Sequence, residues 1–597
     1  MKEALEQAAT PALKAMGQAV ALVRAHPYAS AATLVALAGG WYVYETYVHG
    51  PAHRKQRQLE KRRARVNFDS ALGLGFKSCP ETLEAIELAV EGEIPQWLAG
   101  KLFRSGPGTL EVDTELGFTY LITHWFDGLT VMHGFEIKEG RVFYANQKAA
   151  RELENYVARH GGKNFTFGPD PCKTFFSKLS SLFYSETKDP ETGRDMSNTG
   201  VTIKRIQGKL YNCTDANSLV SFDPQTLKTS GKEERYSKFN RDIKGPLSAA
   251  HGQYDAARGE YFNLVADIGA TAVYTLFVVP DEGEARILCK IPVKKASYLH
   301  SFALTENYFI LQVWPLLIDA PKLLWHKSVV DAMEWHGEDT TKFYVVSRST
   351  GEVLHVYETP SAFCFHNINA WEEDDGNRIV LDLALYKDNA PINDLVIDNI
   401  LGADFRFARA PLVRFTLTNV LRDARTARSI MKRVIYDHTI ELPRINPRHH
   451  MKPYAFAYGL SAREGDAGQF FDRLVKVDVR SGERWVWEVE GHFPAEPIFL
   501  ATPDGEDEDD GILLSIVLNG ETATSYLLVL NAKDMSELAR AQVPHHIPFG
   551  FHGPQACAEQ VQRVPTTHLQ SAFLSAGRLT KPLVNLSPHP SQQKHSS

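Results

Sequence analysis

The 597-residue sequence predicts an all-β fold, and within that class a β-propeller. Apolar runs of strand length recur along most of the chain, for example Tyr308–Val313, Arg378–Tyr386, 512–518 and 526–530. A tight turn rich in Asp, Ser and Gly follows many of these runs, and a second similar run follows the turn. Hairpins that recur without long intervening helices indicate radial repetition, which favours a propeller over a sandwich.

Four strand–turn–strand segments carry this theme most clearly: residues 221–227, 346–352, 477–483 and 530–536. Each is predicted to be the tip of a hairpin. The repeats are too degenerate for the blades to be counted from them. Helical signals are fewer, and residues 173–183, 322–333 and 420–433 are predicted as helices inserted between strands.

Composition excludes some classes of function. The net charge of −7 argues against a nucleic-acid-binding protein, which would carry a basic face. The six cysteines show no C-x-x-C spacing, so neither a zinc site nor a disulfide framework is predicted. We therefore expect reduced thiols in a protein that faces the cytosol.

The amino-terminal segment, residues 1–66, resembles a membrane anchor. Residues 25–44 contain no Asp, Glu, Lys or Arg and would span roughly 30 Å as a helix, the thickness of a bilayer core. Aromatic residues cluster at one end, and a basic run over residues 54–65 follows, which favours a cytosolic position for the large domain. A surface-lying amphipathic helix and a soluble segment are the alternatives. The large domain is predicted over residues 78–586, before a polar tail at 587–597.

Residues 314–335 form the most apolar insert of the large domain. One interpretation is buried core. The other is an exposed patch that docks on a membrane at a substrate entrance. The sequence favours neither.

Four of the 22 histidines stand out by their surroundings: His251, His300, His366 and His552. Small or apolar residues flank each of them, and each adjoins a predicted strand. Taken singly, each is typical of a buried core histidine. Because they are far apart in the chain but alike in context, they suit a propeller axis, where the inner strands of separate blades converge.

Other polar clusters are predicted to have no role as ligands. His124 and His133 flank the sequence HWFDG, and His545 and His546 precede His552, but none of these four is expected to bind a metal. The acidic run 504–510 resembles a calcium loop only in composition and is predicted to be a solvated turn.

Several ordered blocks resemble the carotenoid cleavage oxygenase family, also called the retinal pigment epithelial membrane protein family. The blocks are 102–108 (LFRSGPG), 124–128 (HWFDG), 299–307 (LHSFALTEN), 452–459 (KPYAFAYG), 496–499 (EPIF) and 551–553 (FHG). The resemblance covers nearly the whole domain. It implies a seven-bladed propeller, capped by helices and loops, with one iron(II) ion per chain on its axis.

The resemblance also implies the roles of individual residues. The four histidines singled out above would bind the iron, and neutral imidazoles suit iron(II) while leaving coordination positions open. Three carboxylates would orient three of the rings. The implied pairs are Asp215 with His300, Glu441 with His366, and Glu496 with His552. Asp215 stands where many family members carry glutamate, so its side chain is shorter by one methylene.

The implied activity is the cleavage of a carbon–carbon double bond, with dioxygen as co-substrate. Segments 124–128, 167–172 and 198–203 are similar to the fungal torulene dioxygenase branch, which implies a carotenoid or apocarotenoid substrate and apocarotenal products. An apolar polyene substrate also agrees with a membrane anchor. Three alternatives stay open: a stilbene or phenylpropene cleaver that holds a phenol through a pair such as Tyr120 and Lys148, an isomerohydrolase, and an iron-free propeller that binds lipid.

Overall fold

The computed structural model describes residues 62, 66–163, 166–168, 188–269, 271–326, 328–402, 405–421, 427–463 and 470–553. The predicted membrane segment 25–44, the predicted helix 173–183 and the polar tail 587–597 lie outside them. Within these described ranges, no helix is long and apolar enough to cross a membrane.

The described residues form 33 strands. The first fourteen are β1 (Thr82–Gly92), β2 (Gly100–Thr109), β3 (Glu111–Asp113), β4 (Thr119–Leu121), β5 (Leu129–Lys138), β6 (Arg141–Lys148), β7 (Thr202–Ile206), β8 (Lys209–Cys213), β9 (Leu219–Ser221), β10 (Leu247–Ser248), β11 (Gln253–Asp255), β12 (Glu260–Asp267), β13 (Ala272–Pro280) and β14 (Arg286–Val293). The next ten are β15 (Ala303–Leu304), β16 (Tyr308–Val313), β17 (Leu316–Ile318), β18 (Met333–Trp335), β19 (Thr341–Ser347), β20 (Val353–Thr359), β21 (Phe363–Glu373), β22 (Arg378–Tyr386), β23 (Leu412–Thr418) and β24 (Ile430–Tyr436). The last nine are β25 (Glu441–Ile445), β26 (Phe456–Ser461), β27 (Arg473–Asp478), β28 (Arg484–Glu488), β29 (His492–Pro494), β30 (Ile498–Ala501), β31 (Gly511–Asn519), β32 (Thr524–Asn531) and β33 (Glu537–Val543).

Helices are few and short in the same part of the chain. They are α1 (Arg151–His160), α2 (Ala320–His326), α3 (Val329–Ala332), α4 (Ala390–Asp394) and α5 (Ile397–Ile400), with 3-10 turns at Gly73–Phe76, Trp125–Asp127, Tyr236–Lys238 and Pro447–His449. The predicted all-β class is therefore confirmed.

Five antiparallel sheets of three to five strands follow one another along the chain as separate propeller blades. They are β7–β9, β10–β14, the set β15, β16, β19 and β20, then β21–β24, and β25–β28. The first strands of consecutive sheets contact each other, as β15 does β21 and as β21 does β25. The inner strands thus surround a common axis, as the hairpin repetition predicts.

The two ends of the described chain meet in a nine-stranded sheet of order β2-β5-β6-β1-β33-β32-β31-β29, with β30 also paired to β31. Strand β1 joins its two halves. Leu88 pairs with Val142 of β6, whereas the next residue, Ala89, pairs with Gln542 of β33. The first strand of the domain therefore closes the ring against the last one.

The four predicted hairpin turns share one backbone geometry. In each, the N–H of one residue donates to the carbonyl five positions on, at 2.8–2.9 Å, and the N–H four positions on donates back at 2.7–2.9 Å. The residue four positions after the first donor has a positive φ in every case. These residues are Leu227, Gly351, Gly482 and Met535, with φ of 61°, 74°, 80° and 64°. Glycine adopts that conformation without strain, so the recurrence of Gly in the pattern has a local cause.

The predicted elements had mixed outcomes. Tyr308–Val313 and Arg378–Tyr386 are strands with those bounds, and 512–518 and 526–530 lie inside β31 and β32. The helix predicted over 322–333 corresponds to parts of α2 and α3. The helix predicted over 420–433 is wrong, because the described part of that stretch contains the start of strand β24. This strand lies at the outer edge of its sheet with most residues exposed, so it lacks the alternation that marks a strand in sequence.

The apolar insert 314–335 divides between the two interpretations. Trp314, Leu316 and Ile318 are buried in the main core. On α2, however, Leu324 and Trp325 are 60% and 37% exposed. Most of the apolar residues of the insert are therefore buried in the core or packed against it, and a small apolar surface remains on one helix.

Candidate metal centre

Three of the four predicted ligands lie in or next to the first strands of their sheets, and the fourth follows the last strand of the described chain. His251 lies between β10 and β11, His300 precedes β15, and His366 lies within β21. His552 follows β33 and returns to the axis, where its N–H donates to the carbonyl of Val201 at 3.2 Å. The ring of inner strands thus places all four imidazoles together.

The four side chains form a compact cluster in which one ring nitrogen from each lies within 4.8 Å of all the others. The Nε2 atom of His552 lies 3.0 Å from Nε2 of His251 and 3.1 Å from Nε2 of His366. Two nitrogens bound about 2.1 Å from one ion at a right angle would be about 3.0 Å apart. The spacing and the donor type therefore fit a metal ion held by four imidazoles.

The cluster is also electrically suited to a metal. Burial holds the pKa of His251 well below its ordinary value, and the neighbouring imidazoles lower it further. Burial likewise holds the pKa of His552 well below that value, although Glu496 opposes the effect. Neutral imidazoles keep their lone pairs available for a cation.

The three predicted carboxylates contact the outer nitrogens of three rings. Nδ1 of His300 lies 2.9 Å from Oδ1 of Asp215, and Nδ1 of His366 lies 2.5 Å from Oε2 of Glu441. Nδ1 of His552 lies 2.7 Å from Oε1 of Glu496. A carboxylate that accepts the Nδ1 proton leaves the Nε2 lone pair facing the cluster. Despite its shorter side chain, Asp215 reaches its histidine directly.

His251 differs from the other three. Among the described residues, no carboxylate forms an ion pair or hydrogen bond with its ring. Its backbone N–H donates to the carbonyl of His300 at 3.2 Å, which fixes the chain rather than the ring. One imidazole of the four is therefore held with less polar support.

Glu496 is the one of the three carboxylates that contacts two arginine side chains. It is 1% exposed and accepts hydrogen bonds from Arg104, from Nε of Arg444 at 2.9 Å, and from the N–H of Gly553 at 2.8 Å. Burial alone would raise the pKa of this carboxyl, but Arg444, His552 and Arg104 hold it well below its ordinary value. The carboxylate therefore stays ionised beside His552.

Two tyrosines hold the other two carboxylates. The hydroxyl of Tyr298 donates to Oδ2 of Asp215 at 2.7 Å, and that of Tyr386 donates to Oε1 of Glu441 at 2.6 Å. Burial raises the pKa of both phenols well above the ordinary value, and the adjacent carboxylates raise it further. Both hydroxyls therefore remain protonated donors.

Backbone irregularities bring His366 and Glu441 together. In the pairing of β21 with β22, Phe365 and His366 lie opposite a single residue, which makes a β-bulge at the ligand. The register of β25 also shifts just after Glu441, and Leu442 has a φ of 46°. Both shifts change the direction of side chains at the axis. Bulges are common beside functional sites.

An apolar cavity adjoins the cluster and reaches His300, His366 and His552. Aromatic rings dominate its wall: Trp125, Phe126, Phe365, Tyr386, Phe407 and Phe551. The ring of Phe126 stacks on that of His300 with centroids 6.4 Å apart, and it packs edge-on against Phe551 at 5.2 Å. Such a wall suits a flat, apolar ligand and excludes water from the histidines.

The remaining predicted residues have other partners. His124 contacts the carbonyl of Ile392 at 3.0 Å, and His133 contacts the hydroxyl of Tyr144 at 2.9 Å. In the acidic run, Asp507 and Asp510 contact Lys533. The sequence did not identify Arg104, Arg444, Tyr298 or Tyr386 individually. Only the position of Arg104 inside the block 102–108 gave a signal.

The fold and the cluster define a class of protein: a β-propeller whose axis carries a four-histidine centre suited to a metal ion. The family model of the retinal pigment epithelial membrane protein matches residues 76–554. A carotenoid dioxygenase of Neurospora crassa is 30% identical over 80% of this chain and 90% of its own length. A torulene dioxygenase of Gibberella fujikuroi is 31% identical, with 85% and 99% covered.

Further relatives extend the same comparison. A rat β,β-carotene 15,15′-dioxygenase is 31% identical over 81% of this chain and 92% of its own. The solved structure of cobalt-substituted Synechocystis apocarotenoid oxygenase matches with a TM-score of 0.68 at 23% identity, covering 81% of this chain and 98% of that one. This likeness supports the fold. The chain belongs to the retinal pigment epithelial membrane protein family, so the resemblance found in the sequence is confirmed.

Proposed function

We propose that this chain is an iron(II)-dependent dioxygenase that cleaves one carbon–carbon double bond of a carotenoid or apocarotenoid. The observation that carries the proposal is the four-imidazole cluster opening onto an aromatic cavity. The names of its relatives, which are carotenoid, torulene and β-carotene dioxygenases, supply the substrate class.

The reaction adds both atoms of dioxygen to one double bond and breaks it, giving two carbonyl products. His251, His300, His366 and His552 would hold one iron ion per chain. When bound, iron(II) supplies a redox-active centre at which dioxygen can react with the alkene. Asp215, Glu441 and Glu496 keep three of the rings oriented. The aromatic wall positions the alkene and keeps water away.

The test is incubation of purified, iron-loaded protein with β-carotene, torulene, apocarotenals and resveratrol under ¹⁸O₂. We expect one iron per chain by elemental analysis and labelled aldehyde or ketone products from a carotenoid substrate. The matched control is His133→Ala, which removes a buried histidine outside the cluster. Stoichiometric iron with no cleavage of any polyene would overturn the proposal, and so would the absence of bound iron.

The resveratrol arm addresses the phenol-cleaving alternative. Lys148 forms an ion pair with Glu154 at 2.7 Å, and Tyr120 is buried in the main core. Among the described residues, neither lines the aromatic cavity. We therefore expect no cleavage of resveratrol, and cleavage of resveratrol alone would replace the polyene assignment.

We also infer that the propeller has seven blades. The nine-stranded sheet changes partner within β1, between Leu88 and Ala89. Counting each side of that point as one blade adds two to the five separate sheets. An experimental structure in which the two sides form one continuous blade would contradict this count.

We further propose that the protein works at a membrane, with its catalytic domain in the cytosol. An apolar polyene partitions into bilayers, and Leu324 and Trp325 present a small apolar surface on α2. The uncharged stretch 25–44 and its basic flank, although outside the described residues, supply the second element of the proposal. Protease protection of the full chain in microsomes, with cleavable tags at both ends, tests the orientation.

A further inference from the structure

Resting on the proposed function, one inference concerns how the imidazoles are oriented. The three carboxylates have two different kinds of support. Glu496 receives two guanidinium groups, from Arg104 and Arg444. Asp215 and Glu441 instead each receive one phenol hydroxyl.

We propose that Tyr298 and Tyr386 are positioning residues for metal binding, each of which orients a ligand histidine through the carboxylate between them. The chains of contact are Tyr298–Asp215–His300 and Tyr386–Glu441–His366. Neither tyrosine acts on the metal directly. Each fixes the carboxylate that fixes the ring.

The geometry at Glu441 shows how this works. Its Oε2 takes the Nδ1 proton of His366 and the N–H of Leu442 at 2.9 Å, while its Oε1 takes only the hydroxyl of Tyr386. The carboxylate is 3% exposed. Without the phenol, Oε1 of this buried carboxylate has no donor among the described residues, so nothing on that side fixes the rotation of the carboxylate. Rotation would carry the hydrogen bond of His366 with it.

The geometry at Asp215 is different but leads to the same dependence. Nδ1 of His300 lies 2.9 Å from Oδ1 and 3.0 Å from Oδ2 of this carboxylate. Oδ1 also accepts the N–H of Ala250 at 3.2 Å, and Oδ2 accepts the hydroxyl of Tyr298 at 2.7 Å. That hydroxyl also lies 3.4 Å from Nδ1 of His300. Because Asp215 is short, its carboxylate has little freedom to follow the ring, and the phenol fixes the rotation in which both oxygens face Nδ1 of His300.

The experiment compares Tyr298→Phe and Tyr386→Phe with Tyr357→Phe in the full-length protein. Tyr357 is a matched control, because it is buried and lies on β20, the outer strand of its sheet. Its hydroxyl donates to the carbonyl of Thr418 at 2.8 Å. Cobalt(II) serves as the probe: its dissociation constant is measured by chelator competition, and its visible absorption reports the ligand geometry. Thermal unfolding of the metal-free proteins measures the structural effect separately.

We expect Tyr298→Phe and Tyr386→Phe each to weaken cobalt binding about tenfold, the lower end of the effect of removing a group that supports a ligand, and to shift the visible bands. Tyr357→Phe should change neither the cobalt affinity nor the visible bands. Its melting temperature should fall about as much as those of the two site variants. Unchanged binding and spectra in both site variants would overturn the proposal, as would an equal loss in the control. If either site variant fails to fold, the other decides. Failure of the wild-type protein to bind cobalt would contradict the proposed function instead.

Discussion

Glu496 and Glu441 allow a matched test of what the arginines contribute. Both carboxylates are buried, both contact a ligand imidazole, and both can be changed to glutamine without altering shape. The donors to Glu441 are neutral: the ring N–H of His366, the hydroxyl of Tyr386 and a backbone N–H. Those to Glu496 include two guanidinium groups.

The expected energies follow from that difference. Glu441→Gln replaces an ionised acceptor of uncharged donors, which we expect to lower the free energy of unfolding by about 1.5–3 kcal/mol. Glu496→Gln leaves two buried cations without their counter-charge, and breaking a buried ion pair costs about 3–5 kcal/mol. Between the middles of the two ranges, the difference should therefore be about 2 kcal/mol. Both variants should bind metal about 10–100-fold more weakly, because each loses the carboxylate that orients an imidazole.

The assay is urea unfolding of the metal-free variants, followed by tryptophan fluorescence and circular dichroism. Metal affinity is measured separately by chelator competition. Equal losses of stability in the two variants would refute the reasoning, since it would mean that the arginines are not balanced by Glu496. A stability difference without any change in metal affinity would refute the role of the carboxylates in orienting the rings.

Three further predictions use the same structure. His366→Ala should remove bound iron and cleavage activity together, because it deletes one of four converging donors, and elemental analysis with a cleavage assay checks this; a fully active variant would refute the ligand assignment. Burial lowers the pKa of His133 to about 3, aided by His545 and Arg104, so its contribution to stability is complete above its unfolded value of about 6.5 and is lost as the pH falls toward 3. Between pH 7 and 5 the free energy of unfolding should fall by about 2 kcal/mol from this residue, a loss that His133→Gln should not show in urea titrations. Changing Leu324 and Trp325 to serine should reduce vesicle binding of the protein with only a small fall in its melting temperature, because the two side chains are 60% and 37% exposed; unchanged flotation with vesicles would remove α2 from the membrane surface.

Much of the architecture was predictable from local pattern. Strands β16 and β22 are buried apolar runs between turn residues, and their bounds follow directly from the sequence. The sequence predicts a helix where strand β24 lies, because the exposed side chains of this strand, such as Lys432 and Arg433, carry no alternation. Its strand conformation comes from pairing with β23, a contact that local sequence does not encode.

The site was predictable to a different degree. Taken singly, His251 and His366 are typical of a buried core histidine such as His133. Their shared surroundings single them out, and the family resemblance implies their role as ligands. The contacts with Asp215, Glu441 and Glu496 join the pairs implied by that resemblance, while their role at a metal stays a prediction. Tyr386 and Arg444 could not be identified, because their positions relative to the carboxylates depend on how separate sheets are packed.

That packing is what connects the site to the fold. Asp215 follows β8 and supports a histidine in the sheet of β15, 85 residues away, while Glu441 begins β25 and supports a histidine of β21, 75 residues away. Each of these hydrogen bonds therefore crosses between blades. The orientation of the imidazoles depends on the closed ring as a whole, including the pairing of β1 with β33 at its periphery. A ligand that binds only the folded ring would in turn stabilise it, so metal binding and ring closure should be thermodynamically linked.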